Sequence, residues 1–101
     1  MIGHIMGIVQ DAIRTKLTQA FAPSALTIVD DSHRHAGHGG ARPEGETHFR
    51  VEITAAAFSG RSRVERQRMI YAALADELAG PVHALQLKAA SPEESAGQRP
   101  V

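Results

Sequence analysis

The chain has 101 residues, of which 43% are hydrophobic, and this is enough for one globular domain with a single core. Its 11 basic residues balance its 11 acidic residues, so nucleic-acid binding would need a local basic patch rather than an overall positive field. The absence of cysteine excludes disulfides, catalytic thiols and a metal cluster held by the chain's own thiolates.

The first half of the chain predicts one helix and two strands. Apolar residues recur at four-residue spacing over residues 5–21, which is typical of an amphipathic helix, and Pro23 should end it. Residues 26–29 are rich in β-branched side chains and predict a first strand. Residues 32–45 are rich in glycine and histidine and predict a long loop. Residues 47–54 alternate between apolar and polar, and we expect this strand to pair antiparallel with the first.

The second half predicts one helix and one strand. Ser62 and Glu65 have the spacing of a capping box, so a helix should begin near Arg63. It should stop at residues 80–81, where a left-handed glycine is followed by a proline that cannot continue the helix. Residues 82–88 alternate again, and the helix before them allows this third strand to run parallel to a neighbour.

The order helix, strand, strand, helix, strand predicts an α+β fold, with a three-stranded mixed sheet and the helices packed on one face. We expect the folded domain to span residues 1–89. Residues 90–101 combine proline, glycine and polar residues without a period, which predicts a disordered tail. The N-terminus has no signal-peptide pattern, and no apolar run reaches the roughly 20 residues that cross a bilayer. A cytoplasmic protein without membrane contact is therefore expected.

Histidines are the residues best suited to bind a metal. His33, His35 and His38 lie in the predicted loop, and imidazole is a common ligand of transition metals. From the residues alone, a solvated loop is the better explanation, because ligands without rigid support bind weakly. His83 opens the predicted third strand and shares a face with Leu85. From the residues alone, a histidine at the sheet edge is the better explanation, although its ring could reach a partner.

A basic cluster lies at the start of the second predicted helix and consists of Arg61, Arg63, Arg66 and Arg68. Such a patch could contact phosphates without reading a base sequence. A solvated helix face is the ordinary explanation, but positive charge at a helix N-terminus opposes the helix dipole.

The sequence has no nucleophile elbow, phosphate-binding glycine loop or zinc-hydrolase motif, so we do not expect an enzyme.

Several blocks in the same order closely resemble the BolA family over about residues 8–89. The blocks are DDSHRH at 30–35, GETHFRV at 45–51, FSGRSRVERQRMIY at 58–71, LADEL at 74–78 and VHAL at 82–85. Because several blocks match at the right intervals, the resemblance is far more specific than any single motif. The fold of this family is similar to a class II KH domain, and this agrees with the predicted order of elements.

The resemblance implies a non-enzymatic adaptor that binds a monothiol, CGFS-type glutaredoxin. A 2Fe-2S cluster is then bridged between the two proteins, with sulfur ligands from the glutaredoxin cysteine and from glutathione. The ligands from this chain would be His83 and His35, with His33 or His38 as alternatives to His35. No cofactor is expected in the isolated chain. Imidazole is a reasonable ligand, because replacing anionic thiolates with neutral donors raises the reduction potential.

The resemblance also implies an alternative function. Bacterial members of the family are described as DNA-binding transcriptional regulators, and the matching element here is the turn and helix at residues 58–71 with its four arginines. Gln67 stands where many relatives carry histidine, so no role is transferred from that position. Cluster trafficking or iron regulation and DNA binding could both belong to one protein.

Overall fold

A computed structural model describes residues 7–31 and 47–97. The elements are α1 (Ile8–Phe21), β1 (Ala25–Asp30), β2 (His48–Thr54), α2 (Arg63–Ala73), α3 (Ala75–Ala79), β3 (Ala84–Ala90) and α4 (Pro92–Gly97), with one 3-10 turn at Ala56–Phe58. The predicted loop at 32–45 lies outside the described residues. Among the residues that are described, no helix has the length and apolar character needed to cross a membrane.

The strands form one mixed sheet in the order β1-β2-β3. β1 pairs antiparallel with β2, so that Ile28 lies opposite Val51. β3 pairs parallel with β2, so that Leu87 lies opposite Val51 on the other side. Both predicted orientations are confirmed, because a loop returns the chain antiparallel whereas the helices between β2 and β3 carry it back to start a parallel strand.

The hydrophobic core lies between the sheet and the helices. Alternation along β2 buries Val51 and Ile53 and leaves Glu52 exposed, as a strand with one wet side requires. Burying side chains of this size stabilises the fold by about 1.5–3 kcal/mol each. The buried cluster consists of Ile13, Leu17, Ile28, Phe49, Val51, Ile53, Ala55, Phe58, Ile70, Leu74 and Val82.

The second predicted helix begins as expected but is divided. The capping box is confirmed, since the backbone N–H of Glu65 donates to Ser62 Oγ at 3.1 Å and the N–H of Ser62 donates to the Glu65 carboxylate at 2.7 Å. The helix is interrupted at Leu74, which has φ −107° and ψ 23°. The prediction that Gly80 adopts a left-handed conformation is wrong, because its φ is −109°. Glycine fits there because a Cβ would lie 3.2 Å from the carbonyl oxygen of Asp76.

The C-terminal segment is more ordered than the sequence pattern predicts. The prediction of disorder is wrong for residues 90–97, which complete β3 and continue as α4. A second capping box begins α4, since the N–H of Ser91 donates to the Glu94 carboxylate at 2.9 Å and the N–H of Glu94 donates to Ser91 Oγ at 3.3 Å. Pro92 at the first helical position is also typical of a helix start. Residues 98–101 lie outside the described residues.

Candidate functional site

His83 lies immediately before β3, with an exposed side chain and a fixed backbone. Its N–H donates to the carbonyl of Thr47 at 2.7 Å, and the N–H of Ala84 donates to the same oxygen at 3.2 Å. Thr47 is completely buried, so this carbonyl belongs to the rigid part of the fold. The strand begins two residues later than predicted, and His83 therefore stands at the end of the sheet rather than on one of its faces.

A second imidazole lies beside His83. His48 is the first residue of β2, and the parallel register places it opposite Ala84. The ring centroids of His48 and His83 are 6.2 Å apart, and the ring planes differ by 12°. Nδ1 of His48 lies 2.8 Å from Thr47 Oγ1, and the tautomer decides which of the two donates. No role was predicted for His48, although a parallel β2–β3 pair would bring the two strand starts together.

The other predicted ligands lie in a segment that leaves the sheet at the same end. His33, His35 and His38 are outside the described residues. The N–H of Asp31 donates to the carbonyl of His48 at 2.7 Å, so the chain departs toward the three histidines from a point next to His48. Within residues 7–31 and 47–97, no group of three or more histidine, aspartate or glutamate side chains is arranged to hold a metal ion. A metal at His83 would therefore need ligands from elsewhere.

Arg66 differs from the other arginines of the predicted basic cluster, because its donors are used inside the fold. Its guanidinium donates to both carboxylate oxygens of Glu94, at 2.6 and 3.1 Å, and to the carbonyl of Ala89 at 3.0 Å. Nε donates to the carbonyl of Arg61 at 3.0 Å. Because four of its five N–H donors are already bonded within the fold, Arg66 is a weaker candidate for a phosphate contact than the sequence pattern predicts.

The pKa values of this ion pair move as expected for charged partners in contact. The hydrogen bonds from Arg66, followed by the one from the backbone of Ser91, lower the pKa of Glu94 to about 2. The Glu94 carboxylate in turn raises the pKa of Arg66 above its ordinary value. Both groups are therefore charged at neutral pH, and α4 is tied to α2 and β3 by a charge-assisted contact.

The remaining arginines of the cluster, Arg61, Arg63 and Arg68, are exposed. Arg61 and Arg63 line a groove of about 410 Å³ between α2 and β3, whose other wall includes Leu87 and Ala89 of the strand. We call this feature the basic groove. Because Arg68 does not line it, the predicted patch is divided between the groove and the outer surface of α2.

Comparison with known proteins identifies relatives that match most of this chain. The family model described as BolA-like protein matches residues 17–94. BolA-like protein 1 of Pongo abelii is 48% identical over 89 residues, which cover 88% of this chain and 62% of the relative. The chain thus spans less than two thirds of the length of that relative. A protein of Arabidopsis thaliana named SufE-like protein 1, chloroplastic/mitochondrial, is 45% identical over 86 residues, covering 81% of this chain and 23% of that protein.

Solved structures show the same architecture. The solution structure of BolA1 protein from Mus musculus matches with a TM-score of 0.77 and 38% identity, covering 94% of this chain and 74% of that one. The predicted α+β, class II KH-like order is therefore confirmed. Cytoplasmic localisation stays a prediction, because the name of the plant relative gives the chloroplast and the mitochondrion as its compartments. The family model covers 78 consecutive positions, from residue 17 to residue 94, and the chain shares its fold with the mouse protein. The chain therefore belongs to the BolA family.

Proposed function

We propose that this chain is a non-enzymatic adaptor that binds a monothiol glutaredoxin and contributes histidine ligands to a 2Fe-2S cluster shared with it. The observation that carries the proposal is the exposed ring of His83, held at the end of the sheet beside a second imidazole. Membership of the BolA family supports it. The name of the SufE-like plant relative is consistent with an iron-sulfur connection.

The described residues fit the chain's half of such a ligand set. The backbone of His83 is anchored to the buried Thr47, so its imidazole can meet a metal on a partner's surface without any change in the sheet. Neutral imidazole is a ligand that iron in 2Fe-2S clusters accepts. When bound, the cluster supplies one-electron redox chemistry. The chain has no cysteine, so thiolate ligands would come from the partner's side, where the family resemblance implies the glutaredoxin cysteine and glutathione.

For the second ligand from this chain we keep His35, with His33 and His38 as alternatives. The support is where the segment with these histidines leaves the sheet. The N–H of Asp31 donates to the carbonyl of His48, so the segment that follows Asp31 begins at the histidine end of the sheet. The contact between His48 and Thr47 gives His48 a positioning role beside His83. A fixed neighbouring ring limits the orientations that the exposed imidazole can adopt.

The proposal is tested by co-expressing the chain with a monothiol glutaredoxin and purifying the pair without oxygen. We expect a coloured complex with iron and labile sulfide, and we expect His83→Ala to change its visible absorption and electron paramagnetic resonance spectra. Among the loop variants, His35→Ala should change the spectra more than His33→Ala or His38→Ala. His4→Ala is the matched control, because no ligand role is predicted for His4.

Two outcomes would count against the proposal. A co-purified pair without iron would remove the cluster from the function. A His83→Ala complex with the spectra of the native complex would remove His83 from the ligand set. Circular dichroism of each variant shows whether the fold is intact, so that a lost complex is not confused with unfolding.

DNA binding stays the alternative prediction, and we rank it second. The observation in its favour is that Arg61, Arg63 and Arg68 are exposed near the start of α2, where they could contact phosphates. The observation against it is that Arg66, one of the four arginines on which it depended, is engaged with Glu94.

A further inference from the structure

We propose that the outer edge of β3 and the basic groove beside it bind an extended acidic peptide from a partner protein, which adds to the sheet as a fourth strand. This surface is distinct from the histidine site, and the proposal does not depend on the cluster. Three features carry it: the backbone groups of the edge, the shape of the groove and the charge of its lining.

The edge of β3 offers backbone donors and acceptors. β3 is the last strand of the sheet, and among the described residues no further strand pairs with its outer side. The N–H of Ala84 and the carbonyl of Ala90 bond to residues that flank β2. Because alternate residues of a strand direct their backbone groups to opposite sides, Leu85 and Leu87 direct theirs away from β2. Such an edge is a template for another strand.

The available edge has defined ends. At one end, the N–H of His83 is already bonded to the carbonyl of Thr47. At the other end, the outward carbonyl of Ala89 accepts a hydrogen bond from Arg66 at 3.0 Å. The edge between these points has room for a short extended segment, and Arg66 prevents a longer one from continuing along the strand.

The basic groove lies beside the second half of this edge, where Leu87 and Ala89 are part of its lining. Its volume of about 410 Å³ is within the range of small-ligand sites. The buried Ile70 and the half-buried Leu87 contribute apolar surface to it. In an added strand, every second side chain points to the same side of the sheet. Side chains from alternate positions of the peptide would therefore enter the groove, and this gives sequence preference in addition to the backbone hydrogen bonds.

The charge of the groove selects an acidic peptide. Four basic residues and one acidic residue line it, and that acid, Glu94, is already paired with Arg66. The exposed guanidinium groups of Arg61 and Arg63 therefore face an incoming ligand. A peptide is favoured over a nucleic acid because no aromatic ring is among the described residues that line the groove, whereas single-stranded nucleic acids are bound by stacking on such rings.

The test uses the isolated full chain and a fluorescein-labelled hexapeptide of alternating valine and glutamate. We expect saturable binding by fluorescence anisotropy at low salt, with shifted amide resonances for Leu85 and Leu87. Replacing Arg61 and Arg63 together with glutamate should weaken binding about tenfold or more. The matched control Arg14→Glu changes an exposed arginine of α1 and should leave the affinity within about twofold.

Two further probes separate backbone pairing from simple charge attraction. The same peptide with lysine in place of glutamate, and the same peptide N-methylated at alternate residues, should each bind about tenfold more weakly. Equal binding of the N-methylated peptide would overturn the proposal, and so would no binding of the acidic peptide up to about 1 mM. Tighter binding of a single-stranded DNA oligonucleotide, lost in the double arginine variant, would assign the groove to nucleic acid instead. His83→Ala removes a side chain but no backbone group of the edge, so peptide affinity should stay within about twofold. Failure of the cluster proposal therefore does not affect this result.

Discussion

Thr47 holds the two histidines through different chemical groups. Its carbonyl accepts the backbone N–H of His83, whereas its hydroxyl contacts Nδ1 of His48. The residue is completely buried, so neither contact is exchanged readily with water. A substitution that keeps the backbone but removes the hydroxyl should therefore affect the ring of His48 and spare the backbone of His83.

Thr47→Val is the substitution that separates these contacts, because valine has nearly the same shape as threonine. Losing one buried hydrogen bond should lower the free energy of unfolding by about 1 kcal/mol, which chemical denaturation measures. The ring-nitrogen resonances of His48 should shift, whereas the backbone amide of His83 should keep its position. Thr27→Val, on an exposed position of β1, is the control and should change stability by less than about 0.5 kcal/mol. Unchanged His48 resonances would show that Thr47 does not orient this ring.

Single residues also mark the limit of what the sequence could predict. The four arginines of the cluster look alike as a charge pattern, but Arg66 lies one helical turn before the buried Ile70 and shares its face. That spacing was a signal that its side chain points inward. Its partner Glu94 could not be predicted, because it belongs to the segment for which the composition predicted disorder.

At the scale of elements, α4 depends on contacts at its own start rather than on hydrophobic burial. Its six residues are too few for a stable isolated helix. The capping box of Ser91 and Glu94 satisfies backbone donors, and the same Glu94 carboxylate receives the guanidinium of Arg66. One carboxylate thus both caps α4 and fixes it to the rest of the fold.

This arrangement makes the stability of the protein depend on pH through Glu94. Because its pKa is lowered from 4.5 to about 2 in the folded state, its contribution is fully present above the unfolded value and is lost as the pH falls toward about 2. Glu94→Gln should lower the melting temperature at pH 7, and the difference from the native chain should shrink as the pH falls from about 5 to about 2. Thermal unfolding followed by circular dichroism at several pH values measures this.

The control for this prediction is Glu52→Gln, which changes an exposed acid on the open side of the sheet. It should have a much smaller effect on the melting temperature at pH 7. A Glu94→Gln difference that stays constant down to pH 2 would mean that the lost interaction is not the one between the carboxylate and the guanidinium.

For the whole molecule, periodicity was enough to predict the fold but not the site. Alternation and capping patterns identified three strands and two of the helices, because burial of one face imposes those patterns directly. The relation between His48 and His83 depends on the register of a parallel pair, which the pattern of either strand alone does not determine. The significance of His83 came from the family resemblance.

His83 and the basic groove lie toward opposite ends of β3. The strand has seven residues, and at about 3.3 Å per residue it extends about 20 Å from the histidine end to the end bound by Arg66. Substitutions at this separation that share no contacts have nearly additive effects on binding. If one partner contacted both places, a substitution at either place would weaken its binding.

The effects of His83→Ala and Arg63→Glu on glutaredoxin affinity distinguish these cases. With two separate partners, His83→Ala should weaken glutaredoxin binding, whereas Arg63→Glu should change its binding free energy by less than about 0.5 kcal/mol. Affinities are measured by calorimetry under anaerobic conditions, with Arg14→Glu as the matched charge reversal. A loss above about 1 kcal/mol from Arg63→Glu that Arg14→Glu does not share would contradict separate partners, because the glutaredoxin would then also contact the basic groove. An unchanged affinity of Arg63→Glu would instead mean that a cluster partner bound at the histidine end of β3 makes no contact with the arginines of the basic groove.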